Sequence, residues 1–88
     1  MKKTFHFVPS SAVCSVGIDL TVEDGIIREA CFEGGCNGNL QGICMLVRGM
    51  KAEEVIERLE GIQCGSKRTS CPDQLAKALR ALSDENNQ

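Results

Sequence analysis

A chain of 88 residues, 42% hydrophobic and 25% charged, fits one globular domain and leaves no room for a multidomain enzyme. Its formal charge of −2 argues against a nucleic-acid-binding surface, which carries a basic stripe. No apolar run is long enough to span a bilayer, and the basic start Met1-Lys2-Lys3 lacks the apolar segment of a secretory signal behind it. The expected location is the cytoplasm, where thiols are kept reduced, so the six cysteines point to metal or redox chemistry rather than structural disulfides. With three Phe and no Trp or Tyr, the core must be built from Leu, Ile, Val, Ala and Cys. A domain this small removes only about 60% of its unfolded surface from water, and a bound metal would add stability that such a core lacks.

The first element is a short strand from Thr4 to Val8, interrupted at Pro9-Ser10-Ser11. A second extended stretch runs from about Ala12 to Val22, where Ala12, Cys14, Val16, Ile18 and Leu20 form an apolar row with a period of two. Asp24-Gly25 is a hairpin turn. The return strand, Ile26 to Glu33, puts Ile26, Ala30 and Phe32 on one face and Ile27, Glu29, Cys31 and Glu33 on the other, with Arg28 breaking the alternation. After the glycine-rich turn Gly34 to Asn39 comes a helix marked by Leu40, Ile43, Cys44 and Val47, which Asn37 or Asn39 can cap. Gly49 closes it. Ala52, Val55, Ile56 and Leu59 mark the next helix, with Glu54 and Arg58 spaced for an ion pair and Gly61 at its end. The last helix has Ser70 and Asp73 as a capping-box-like pair, Cys71 at the cap position, Pro72 first in the helix, and a buried stripe of Leu75, Ala78, Leu79 and Leu82. The pattern is α+β: an antiparallel sheet of about three strands, then three helices packed on one face. One domain spans residues 1–83, and 84–88 form a polar tail.

The cysteines differ in placement. Cys36 precedes one helix and Cys71 starts another, where the helix dipole favours thiolate, the form that binds metals. Cys14 lies in a strand, and Cys64 in the loop that feeds the last helix, seven positions before Cys71, with Lys67 and Arg68 between them. Zinc and iron-sulfur sites take thiolates from turns and helix starts, which makes Cys14, Cys36, Cys64 and Cys71 the candidate metal ligands. Cys44, in an apolar stripe, reads as a small core residue, and Cys31 as passive. His6 reads as a half-exposed or satisfied side chain rather than a ligand, and no hydrolytic triad has a local signature.

Thr69-Ser70-Cys71-Pro72-Asp73 spells the signature of the TSCPD domain family, and Cys64 to Arg68 and Gln74-Leu75-Ala76 also resemble its short stand-alone members. The family is similar to a domain at the carboxy-terminal end of vitamin B12-dependent ribonucleotide reductases, which implies a link with deoxyribonucleotide synthesis. The chain is too short for reductase activity by itself. A second resemblance, to NifU-like iron-sulfur cluster scaffolds, implies a NifU-like fold in which Cys14, Cys36 and Cys71 meet at one end. Those scaffolds carry Asp where this chain has Val16, and His or Lys where it has Ser70. Cys64 as a fourth ligand would close the set and favour a permanent centre over a delivered cluster.

The expected function is a metal-binding module holding zinc or an iron-sulfur cluster, with a ribonucleotide reductase or an iron-sulfur assembly protein as implied partner. Neither nucleic acid nor membrane is expected as a partner, and the sequence carries no sign of an oligomeric state. One alternative is a thiol-disulfide redox module, Cys64 with Cys71, supplying electrons to a ribonucleotide reductase. Another is a regulatory module binding a nucleotide or a reductase through the Gly34 to Asn39 loop and Lys67-Arg68.

Overall fold

Among the described residues three antiparallel strands precede three helices: β1 (Lys2–Phe7), β2 (Ser15–Glu23), β3 (Ile26–Gly34), α1 (Asn37–Val47), α2 (Ala52–Leu59) and α3 (Cys71–Asn86). The structure is a computed structural model and describes residues 2–11, 13, 15–34 and 37–86. β2 is the central strand, with β1 and β3 antiparallel on either side. The β2–β3 hairpin follows from Asp24-Gly25, whose φ angles of 55° and 80° give the left-handed pair that a two-residue connection needs.

Two irregularities in the β2–β3 ladder decide which side chains face inward. Thr21 pairs with Glu29 but Val22 with Ile27, so Arg28 is an extra residue in β3. The bulge brings Ile27 into the inner row with Ala30 and Phe32, and Ile27 is fully buried. The expected alternation had placed it on the opposite face. At the other end Ser15 pairs with Gly34 and Gly17 with Glu33, so Val16 is the extra residue in β2. Val16 is therefore 68% exposed rather than part of the apolar row, while Ser15 turns inward and is buried. Ala12 and Cys14, expected in that row, lie outside the described residues. β1 ends at Phe7, not Val8, which is exposed beyond it.

The inner face carries Ile18, Leu20, Val22 and Ile27, covered by Val55 and Ile56 of α2 and by Leu75, Ala78, Leu79 and Leu82 of α3. The expected α3 stripe is thus the core-facing stripe. Phe5, Phe7 and Phe32 pack at its margin, half-buried. α1 lies against β3 and contributes Val47 to the core. The α1–α2 connector then runs along β3, with Gly49 and Ala52 N–H donating to Ile27 and Gly25 carbonyls and Ile27 N–H to Met50. It therefore protects part of an edge that would otherwise expose unpaired backbone. In α2 the expected Glu54–Arg58 ion pair is present at 3.0 Å. α3 stays helical to Asn86, into the expected polar tail. Because Ile18 is completely enclosed, Ile18→Val is expected to cost about 1 kcal/mol, read as a lower urea midpoint with an unchanged slope.

Candidate functional site

The start of α3 is built on a buried polar network. Ser70 is the N-cap: its Oγ accepts from Asp73 N–H at 3.1 Å and its carbonyl accepts from Gln74 N–H at 2.9 Å. Cys71 is therefore the first helical residue rather than the cap, and Pro72 the second. Ser70 Oγ also donates to the Ile62 carbonyl at 2.7 Å. The Asp73 carboxylate does not complete a capping box. It accepts instead from Thr69 Oγ1 at 2.5 Å and from Gly61 N–H at 2.7 Å, tying the end of α2 to the start of α3, with Lys77 Nζ at 3.4 Å. Gln74 Nε2 donates to Thr69 Oγ1 at 2.9 Å, and Gln74 Oε1 accepts from Ser10 N–H at 3.0 Å, which anchors the β1–β2 loop. Burial alone would raise the Asp73 carboxyl, but the hydrogen bonds from Thr69 and Gly61 and the Lys77 ammonium together hold it below the usual carboxylate range.

Thr69, Ser70, Asp73 and Gln74 are all buried. Each has a structural task in joining three loops, and none needs a ligand to explain it. Cys71 is different. It is buried at the helix start, and its Sγ lies 3.3 Å from Ser15 Oγ. Ser15 is the residue that the Val16 bulge turns inward and that pairs with Gly34. The inner start of β2, the end of β3 and the start of α3 thus converge at one end of the domain. Of the expected ligands, Cys71 sits there. Cys14 and Cys36, the chain neighbours of this junction, lie outside the described residues. Cys64 is exposed in the loop before α3, where its N–H donates to the Thr69 carbonyl at 3.2 Å and its carbonyl accepts from Lys67 N–H at 3.0 Å. Lys67 and Arg68 are exposed in the same loop. Of the Gly34 to Asn39 loop, Asn37 to Asn39 already belong to α1, and Gly35 and Cys36 lie outside the described residues. Neither Asn37 nor Asn39, the expected caps, stands before α1, because the helix already includes both.

Two features were not evident in the sequence. Cys44 is half-buried rather than a core residue, and with the exposed Cys31, also a free thiol, it lines a groove between the outer face of the sheet and α1. Burial, reinforced by Cys31, pushes the Cys44 thiol up despite a backbone hydrogen bond from Phe32. On the same outer face His6 lies opposite Asp19, with Nδ1 2.6 Å from Asp19 Oδ1, and Glu33 reaches in from β3. The Asp19 hydrogen bond, with smaller help from Glu33, raises the His6 imidazole above its ordinary value.

Among the described residues no helix is long and apolar enough to cross a membrane. The chain matches none of the curated proteins and none of the solved structures. The model of the TSCPD domain matches residues 1–83, which takes in the Thr69–Asp73 network and the junction it supports. The chain belongs to the TSCPD domain family.

Proposed function

We propose that the protein is a thiolate metal-binding module that holds zinc or an iron-sulfur centre through Cys14, Cys36 and Cys71, with Cys64 as fourth ligand. The observation that carries this reading is the buried Cys71–Ser15 contact beside the Ser15–Gly34 pair. Consecutive Cα atoms lie about 3.8 Å apart. Cys14 is bonded to Ser15 and Cys36 follows Gly34 by two positions, so chain connectivity alone limits their Cα atoms to about 3.8 Å from Ser15 and at most about 7.6 Å from Gly34. The helix start favours an anionic sulfur, and the Ser15 hydroxyl can donate to it. An all-thiolate donor set suits zinc or iron-sulfur chemistry. Cys64 is exposed and would reach the centre by a shift of its loop. The order of elements, three antiparallel strands followed by three helices with Cys71 at the start of the last, supports the NifU-like comparison as part of this proposal. The family's relation to B12-dependent ribonucleotide reductases makes such an enzyme, or an iron-sulfur assembly protein, the proposed partner.

The test is elemental analysis with an absorption spectrum of untagged protein purified without oxygen. About one zinc per chain without a visible band supports a structural site, and iron with sulfide and visible absorption supports a cluster. A folded, metal-free protein overturns the reading. The redox alternative then takes its place, favoured by the Cys64–Thr69 backbone contact that folds the loop back toward α3. In that case Cys64 and Cys71 would give one defined disulfide in a glutathione redox buffer.

A further inference from the structure

We propose that His6, Asp19 and Glu33 form a second metal site, on the outer face of the sheet, that takes a divalent ion through one imidazole nitrogen and two carboxylates. Their ligand atoms all lie within 4.8 Å of one another. An ion bound about 2.1 Å from each donor separates tetrahedral donors by about 3.4 Å, so small side-chain rotations close the set. The three residues come from three adjacent strands, fixed by the pairings His6–Asp19 and Gly17–Glu33. Backbone ladders, not a mobile loop, set their spacing.

A cross-strand ion pair accounts for His6 with Asp19, and Glu33 adds a second carboxylate from the third strand. The space it uses is made by Gly17. A Cβ there would stand 2.8 Å from Glu33 Oε2, 3.0 Å from His6 Cε1 and 3.2 Å from Glu33 Cδ. Gly17 has no positive φ that would call for glycine, so what its missing side chain provides is room for the carboxylate to cross β2 toward the imidazole. Two carboxylates and a neutral imidazole match a divalent ion in charge. The mixed nitrogen and oxygen donors suit manganese(II) and accept zinc(II), and disfavour soft ions such as copper(I). Three protein ligands leave at least one coordination position open to solvent or to a group on a partner. The site shares no residue with the cysteine centre and stands or falls separately from it.

The probe is manganese(II), because a harder ion leaves the cysteines out of the readout. Substoichiometric manganese chloride is titrated into 15N-labelled full-length protein near neutral pH, and paramagnetic broadening of backbone amides is followed. Signals of residues 6, 17, 19 and 33 are expected to broaden first and together. Glu33→Gln and Asp19→Asn are each expected to weaken binding at least about tenfold, since even outer-shell partners of a metal carry 10–100-fold effects. Gly17→Ala keeps every donor, displaces the carboxylate end of the Glu33 side chain and crowds the edge of the exposed His6 ring, without touching the core. It should keep the melting temperature and the amide spectrum while shifting the titration to higher metal. Broadening spread over the acidic surface, no broadening at all, or a titration unchanged in Gly17→Ala and Glu33→Gln would each overturn the proposal.

Discussion

Cys71→Ser is expected to empty the proposed thiolate centre while keeping the local backbone. Serine is close in size, can occupy the first turn of α3, and leaves the Ser70 cap and the Asp73 network intact, so any loss traces to the sulfur. The metal content should fall from about one equivalent toward none. A structural metal contributes about 10 kcal/mol or more to the folding of a small domain. At about 4–8 °C per kcal/mol for a chain of this length, losing even a small part of that lowers the melting temperature by more than about 10 °C. A chelator should lower the wild-type melting temperature and leave Cys71→Ser unmoved. Cys31→Ser, at an exposed thiol on the outer face, is the control and should change neither quantity. If Cys71→Ser retains both metal and melting temperature, the cysteine centre is not where we propose it.

What was legible in the sequence depended on how local the information was. α3 could be read because the Ser70–Asp73 pair, a proline in the first turn and an i, i+3, i+4 stripe all occur together, although the cap is Ser70 and not Cys71, and the stripe is the one that packs on the sheet. The β2–β3 turn could be read because Asp-Gly meets the positive φ requirement on its own. The bulges could not. A bulge depends on how two strands slide against each other, and its only trace in one strand is a break in alternation such as Arg28. Missing the second one put Val16 inside and left Ser15 unremarked, although Ser15 is the residue that touches Cys71. Cys71 itself was recognisable from chemistry, as a thiol at a helix start. The His6–Asp19–Glu33 group needed the register of three strands at once, and sequence separations of 13 and 14 carry no periodic signal. One partner of the Gln74 side chain is Ser10, 64 positions away, so its anchoring role was equally hidden.

Asp73→Asn is expected to be the most damaging polar substitution in the motif, and its effect should depend on pH in a defined direction. The carboxylate is nearly enclosed and receives the Thr69 hydroxyl, the Gly61 N–H and the Lys77 ammonium. An asparagine has one acceptor oxygen, so its amide N–H groups would face at least one of these donors. Hydrogen bonds to a charged group contribute about 1.5–3 kcal/mol each, and breaking a buried charged network costs about 3–5 kcal/mol. A loss of about 3 kcal/mol corresponds to a melting temperature lower by about 12 °C or more. The Asp73 carboxyl titrates near 3.9 in an unfolded chain and lower in the fold. Its contribution is therefore complete at neutral pH and is lost as pH falls below the unfolded value and through the folded one. The stability gap between wild type and Asp73→Asn, measured by urea unfolding, should hold its full width from pH 7 down to about pH 5 and narrow from there toward pH 2. A gap that is constant across that range would mean that the substitution acts through packing alone. The hydrogen-bonded carboxylate would then not be what joins the end of α2 to the helix that presents Cys71.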